Sequence, residues 1–318
     1  MRSATAFAPA TVANVAVGFD ILGFAIESVG DEVTVSITGD QTVRIKQIRD
    51  LTGVSAALEV PVEADRNAAT VGLIKLREDL QLDFGFQVEL RKGIALGSGL
   101  GGSAASAVGG LVAANSLLET PLSPDSLMQY ALLGEEVASA AAHPDNITPC
   151  LLGGLTLVLS RDPFRYVSLP VPQELLAVVV HPRIRLDTRH ARHILKPNVS
   201  LADHVRQSAS LGGFIAGCFR DDLEMIRQSL ADFLIEPQRA SLIPGFAEVK
   251  AAALAQGALG ASISGSGPSV FALVTSDEAA ASVRDSMVEA FRAHCLSDVD
   301  SWVSPVNQQG ARIIDEVS

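Results

Sequence analysis

Apolar and polar positions alternate along two short segments in the first third of the chain. "EVTVSIT" (residues 32–38) and "FGFQVELR" (84–91) put every second side chain on one face, with Phe84, Phe86, Val88 and Leu90 together, and so predict strands. Between them, residues 67–82 repeat their apolar positions at helical spacing. A second helix is predicted from Ser123 as N-cap, through Pro124 at its first position, to about His143-Pro144, where the proline ends it. "GGLTLVL" and "LLAVVVH" then read as strands, the second one buried. Three helical segments follow between about Asp187 and Gln256. A strand "ALGASIS", the loop "GSGPS", a strand "VFALVT", a helix from Asp277 and a final strand pair near "SWVSPV" and "ARIID" complete the pattern. Strands in runs and helices in runs predict α+β packing rather than a doubly wound sheet. A chain of 318 residues is long for one core, and Pro163, Pro170 and Pro172 mark a boundary, giving expected units of residues 1–160 and 161–318.

One stretch fits neither period. "GIALGSGLGGSAASAVGG" (residues 93–110) follows Arg91-Lys92, and no charge appears until Glu119. A membrane span is disfavoured, because Gly, Ala and Ser supply little of the transfer energy that about 20 apolar residues must provide. A flexible linker is disfavoured too, because the text runs on from Ala104 into an alanine-rich helix. Gly97, Gly99 and Gly102 spell G-x-G-x-x-G, yet only three apolar residues precede them and the acid at the expected distance, Glu119, runs into Thr120-Pro121. The remaining reading is a glycine turn feeding a helix N-terminus, where backbone N–H groups and the helix dipole meet a phosphate. No G-x-x-x-x-G-K-[ST] occurs, so the turn is not a Walker loop. By their own residues these glycines leave the dinucleotide turn and the phosphate cradle both open.

Composition narrows the partners. A net charge of −12 argues against a nucleic-acid groove, which selects for clustered Lys and Arg, but a small anionic ligand needs only a few placed cations. The first residues lack the continuous apolar core of a signal peptide, and Cys150, Cys218 and Cys295 are odd in number, widely spaced and set in apolar text. These features predict buried thiols in a cytoplasmic protein. His190, His193 and His181 lack the carboxylate or cysteine that would complete a metal site.

Three motifs stand in register along the chain: "APATVANVAVGFDILGFAI" (8–26), "ALGSGLGGSAAS" (95–106) and "GASISGSGPSVFALV" (260–274). Together they resemble the GHMP kinase superfamily over nearly the whole chain. "HPDNITPCLLGG" (143–154), "DTRHARHILK" (187–196) and "IEPQRASLIPGF" (235–246) resemble the homoserine kinase family within it. The resemblance implies a two-domain α+β GHMP kinase fold with the nucleotide site between the domains. It implies ATP and Mg²⁺, with L-homoserine as the substrate that becomes O-phospho-L-homoserine on the way to threonine, and a homodimer.

The same resemblance assigns roles. The ATP loop would be Ala95, Leu96, Gly97, Ser98, Gly99, Leu100, Gly101, Gly102, Ser103, Ala104 and Ala105, with Asn67 at the adenine. Asn14, Asp20, His143, Asp145 and Asn146 would hold the amino and hydroxyl ends of the substrate, and Arg192 and Arg239 its carboxylate, which a planar guanidinium binds bidentately. Ser103 and Glu135 would hold the metal; Glu135 lies eleven residues before Asn146, and on a helix Glu136 points about 100° away. Thr188 would sit by the γ-phosphate, and Asn146 and Asp20 by the reacting hydroxyl. Asn146 stands where some members carry an aspartate, so direct attack without a dedicated base is expected, Asp20 being the only nearby proton acceptor. Ala95 stands where the loop usually has proline, Gly102 where it has a second serine, and Ala16 and Val17 replace the commoner Gly and Pro or Ser. A kinase of another small alcohol, or a member of the fold that only binds a ligand, are the alternatives.

Overall fold

The computed structural model describes residues 2–53, 60–139, 143–294, 296–306 and 309–317. The chain opens with a strand that periodicity did not signal, β1 (Ser3–Ala13). Its buried positions begin with Ala4, Ala6, Ala8 and Ala10, whose methyl groups give little hydrophobic contrast. It pairs antiparallel with β2 (Leu22–Thr38), with a register shift at Pro9/Ala10. β3 (Val43–Asp50), also unsignalled, pairs parallel with β4 (Gly85–Lys92). α1 (Ala68–Asp79) joins them and α2 (Gly102–Ser116) follows the glycine turn.

α3 (Pro124–Ser139) starts as expected, with Ser123 accepting from the Ser126 amide at 3.3 Å. The approach to that helix's expected end, residues 140–142, lies outside the described residues; Pro144 is itself the first residue of a further helix, α4 (Pro144–Leu152), whose first turn needs no N–H from it. β5 (Leu155–Arg161) and β6 (Phe164–Leu169) form a hairpin that continues the first sheet across the expected division at residue 160.

The second half holds β7 (Leu176–Pro182), α5 (Thr188–His193), α6 (Leu201–Arg220), α7 (Leu223–Ser229), the short α8 (Glu236–Arg239) and α9 (Phe246–Ala255), five helices where three segments were expected. Then come β8 (Gly260–Ile263), β9 (Val270–Val274), α10 (Asp277–Ala293), β10 (Val299–Pro305) and β11 (Arg312–Val317). The last two strands are not a pair. β10 extends the second sheet beside β7, whereas β11 returns to β1 in the first.

The second sheet is buried on both faces, which explains the unbroken apolar runs. Ala177, Val179, Phe271 and Leu273 join the large core under the first sheet. Val178, Val180, Val270, Ala272 and Val274 join a separate core under α9 and α10. Phe24 and Phe271 meet edge to face at 6.0 Å where the sheets abut. Cys150 and Cys218 are buried thiols; Cys295 lies outside the described residues. Among those residues no helix is long and apolar enough to cross a membrane.

Candidate active site

The glycine stretch becomes the turn between β4 and α2. Gly97, Gly99 and Gly101 have φ of 66°, 77° and 68°. A Cβ on Gly99 would lie 2.5 Å from the Ser264 carbonyl oxygen, and one on Gly101 would lie 2.1 Å from Thr11 Oγ1, so both positions exclude larger residues.

Every carbonyl from Gly97 to Gly102 is tied to the surrounding protein. Gly97 O accepts from the Leu186 amide (3.1 Å), Ser98 O from the Ser269 amide (3.2 Å) and hydroxyl (2.6 Å), and Gly99 O from the Ser264 hydroxyl (2.8 Å). Leu100 O accepts from the Thr11 amide (3.1 Å), Gly101 O from the Ala105 amide (2.9 Å), and Gly102 O from Lys92 Nζ (2.7 Å). In a trans peptide C=O and N–H point opposite ways, so anchoring the carbonyls turns the following amides out of the protein body. The amides of Gly99, Leu100 and Gly101 donate no hydrogen bond among the described residues, and Gly101, the N-cap of α2, offers no side-chain cap. Unpaired amides in alternating backbone conformations at a helix N-terminus form an anion cradle.

Below the cradle lies a buried ion pair that the sequence presented as a mere flank of the glycine stretch. Lys92 and Asp31 are in direct contact, and Ser106 Oγ donates to the same carboxylate at 2.8 Å. The other Asp31 oxygen accepts the amides of Gly93 (3.0 Å) and Ile94 (3.2 Å). The pair therefore fixes both the entry to the turn and the first residue of α2.

The cradle forms one end of a cavity of about 410 Å³. Charged and polar side chains form the other. Asn14 and Asp20 follow β1 in the left-handed region, at φ of 71° and 63°. Asn14 donates to the Gly265 carbonyl (2.8 Å) and accepts from the Asp20 amide (3.0 Å), which turns the Asp20 carboxylate toward α5. There Arg192 clasps it bidentately, at 2.7 and 2.9 Å. Arg239, nearly fully buried, donates to Ala191 O (3.0 Å) and Gly265 O (2.9 Å). Phe19, overlooked in the sequence, has both guanidinium groups near its ring, at 5.4 Å for Arg192 and 5.2 Å for Arg239. Burial and the neighbouring charge of Arg192 lower the Arg239 pKa to about 10, so it stays cationic at neutral pH.

Asp145 is buried beside this pair, and its Oδ1 has no hydrogen-bond partner. Burial first, and then the charge of Asp20, push its carboxyl up to about 7. Asn146 Oδ1 accepts from Thr11 Oγ1 (2.7 Å), so its remaining groups are donors. Thr188 Oγ1 is 3.3 Å from Ser266 Oγ at the cavity wall.

A chain of contacts joins the two ends. Ser103 Oγ donates to Glu135 Oε2 (2.6 Å), Glu135 Oε1 meets His143 Nδ1 (2.9 Å), and His143 Nε2 accepts from Arg192 (3.2 Å). Burial alone would lower the His143 pKa, but the hydrogen bond and charge of Glu135 outweigh it and leave it above its ordinary value. Glu135 is buried at the cavity while Glu136 faces solvent.

Not every expected residue reaches this wall. Asn67 is buried as the N-cap of α1, accepting from the Ala69 amide (2.9 Å) and donating to Pro61 O (2.6 Å). Ala104 and Ala105 are fully buried behind the turn. His181 is buried in β7, away from the exposed His190, and no cluster of three metal-binding side chains occurs among the described residues.

Comparison with known proteins agrees with this architecture. The family model for the GHMP kinases N terminal domain matches residues 67–154, and that for the GHMP kinases C terminal matches residues 214–293. The homoserine kinase of Xanthomonas campestris pv. campestris is 50% identical over 314 residues, covering 99% of this chain and 95% of its own. The crystal structure of homoserine kinase from Cytophaga hutchinsonii superposes with a TM-score of 0.94 at 44% identity, covering 98% of this chain and 97% of that one. Lactococcus lactis galactokinase, at 15% identity and a TM-score of 0.68 over 98% and 95% of the two chains, shares the fold alone. With half its residues identical to such a relative from end to end, the chain belongs to the homoserine kinase family of the GHMP kinases.

Proposed function

We propose that the chain transfers the γ-phosphoryl group of ATP to the side-chain hydroxyl of L-homoserine, giving O-phospho-L-homoserine and ADP on the way to threonine. The observation that carries this reading is the cavity's polarity: a backbone anion cradle at one end faces paired acids and guanidinium groups at the other. The cradle suits a triphosphate, and the opposite end suits a zwitterion, with carboxylates for its ammonium and guanidinium groups for its carboxylate.

In this reading Asp20 and Asp145 receive the ammonium, and Arg192 and Arg239 the carboxylate. Arg239 is already aligned by two backbone carbonyls, so little ordering remains when ligand arrives. Asn146, its oxygen held by Thr11, directs its amide donors toward the reacting hydroxyl, and Thr188 steadies the transferring phosphoryl group. Both oxygens of Asp20 are oriented by Arg192 and, in this reading, face the ammonium, so Asp20 is not assigned as a general base for the hydroxyl. The hydroxyl therefore attacks directly: its bond to phosphorus forms as the bond to ADP breaks, ADP takes the electron pair, and the proton is lost to solvent. A loose transition state needs positioning and charge stabilisation more than a base.

The residues fit Mg²⁺. The Ser103 hydroxyl and Glu135 carboxylate are hard oxygen donors 2.6 Å apart at the end of the cradle, and this ion takes one or two such protein ligands and completes its shell with water and phosphate. When bound, the ion neutralises charge on the β- and γ-phosphates. A cytoplasmic location and a homodimer complete the proposal, the latter checked by sedimentation.

ADP release with L-homoserine, mevalonate, shikimate and galactose as acceptors tests the function. L-homoserine alone should raise the rate above the ATPase background. A different best acceptor would instead favour a kinase of another small alcohol. Nucleotide binding without turnover on any of them would favour a ligand-binding member of the fold, for which Ser103→Ala would be harmless.

A further inference from the structure

We propose that His181 and Ser269 form a buried relay that holds the nucleotide turn in its phosphate-ready conformation, making His181 a positioning residue for nucleotide binding. The inference rests on the nucleotide reading given above. His181 ends the apolar run of β7, Ser269 immediately precedes β9, and the two are 2% and 0% exposed. Ser269 Oγ lies 2.6 Å from Ser98 O and 3.1 Å from His181 Nδ1.

The direction of both bonds follows from donor capacity. A carbonyl only accepts, so the single Ser269 hydroxyl proton goes to Ser98. The hydroxyl oxygen must then accept from the ring, which places the imidazole proton on Nδ1. Burial lowers the His181 pKa to about 4, so the ring stays neutral and this tautomer persists throughout the physiological range.

Such a relay matters because of the glycines on either side of the carbonyl it holds. Gly97 and Gly99 flank Ser98 at φ of 66° and 77°, and glycine readily adopts other conformations. The peptide between Ser98 and Gly99 is thus free to rotate unless its carbonyl is tied. Rotation would aim that carbonyl at the phosphates and remove the Gly99 amide from the cradle. The Ser269 amide supplies one restraint at 3.2 Å, and the hydroxyl oriented by His181 supplies the shorter one.

The experiment compares His181→Ala with His181→Asn, whose Nδ2 occupies the place of Nδ1 and also donates. Steady-state kinetics and titration with a non-hydrolysable ATP analogue are read beside thermal melts. His181→Ala should raise the KM for ATP roughly two- to tenfold, the worth of one neutral hydrogen bond, with kcat and the KM for homoserine nearly unchanged. His181→Asn should restore the ATP KM, and Ser269→Ala should match or exceed the alanine defect, with no further loss in the double variant. An unchanged ATP KM in His181→Ala overturns the proposal. So does a His181→Asn as impaired as His181→Ala, or a loss confined to melting temperature and kcat. If His181→Ala fails to fold, Ser269→Ala carries the test, and a wild-type ATP KM there overturns it. A wild-type chain that fails to bind the analogue would refute the nucleotide reading itself, a result distinct from a binding wild type with unaffected variants.

Discussion

The two ends of the cavity are built from different materials. At the phosphate end the working groups are main-chain amides, and the surrounding protein anchors six successive carbonyls, three of them through the side chains of Ser269, Ser264 and Lys92. At the opposite end the working groups are side chains already paired with one another, as Asp20 is with Arg192. An end made of backbone tolerates changes of side chain so long as the backbone path is kept. An end made of side chains depends on the identity of each. At Gly102, where the resemblance leads to an expectation of serine, the amide and the anchored carbonyl are kept.

The largest expected effect breaks the support beneath the turn. Lys92→Met removes the counter-ion of the fully buried Asp31, and should lower unfolding stability by about 3–5 kcal/mol in denaturant titrations. Next is Gly99→Ala, whose Cβ would strike the Ser264 and Gly267 carbonyls at 2.5 and 2.7 Å. The displaced turn should lose on the order of 100-fold in kcat/KM for ATP, the cost of misplacing reactants by about 1 Å.

At the side-chain end, Arg192→Ala removes one charge-assisted clamp. It should raise the KM for homoserine roughly 10- to 100-fold, with the KM for ATP little changed. A comparable rise in both constants would mean that the ends are not separable.

Proton linkage at Asp145 sharpens the contrast further. Its carboxyl titrates at 3.8 when unfolded and about 7 when folded, so between these values only the folded state holds the proton. Its contribution to stability is complete below 3.8 and is lost as pH rises through about 7. Asp145→Asn should flatten that decline in melts across this range. In the intact enzyme the KM for homoserine should fall as the pH rises through 7, because the ammonium prefers the ionised carboxylate, and the KM for ATP should not follow. The smallest effect belongs to Gly102→Ser. Its Cβ would lie 3.2 Å from Ile94 Cγ2 and 3.4 Å from Lys92 Nζ, so kinetics should stay within about threefold of wild type if the neighbours give slightly.

The same contrast governs how much could be read from the chain. The buried strands β7 and β9, the amphipathic α10 with Ala280, Val283, Met287 and Phe291 inward, and the cap Ser123 all carry local signals that sequence expresses directly. β1 was hidden by its alanines, and Pro144 by the ambiguity of a proline that ends one helix and can also begin another. The separation of β10 from β11 is a matter of topology, which local pattern does not encode. At the site, the charged end was legible because arginines and acids stand out in matched motifs. The anchors were not, since Ser98 and Ser269 lie 171 residues apart and a serine in a glycine turn looks like any turn residue. Asn67 shows the converse: a polar residue inside a matched region whose visible work is capping α1.

The division of labour between the two ends can be measured directly by titrating a non-hydrolysable ATP analogue and L-homoserine separately into wild type, Gly99→Ala and Arg192→Ala. The account predicts crossed losses: Gly99→Ala weakens the analogue and spares homoserine, while Arg192→Ala weakens homoserine and spares the analogue. Parallel losses of both ligands in either variant, or undiminished analogue binding in Gly99→Ala, would contradict it.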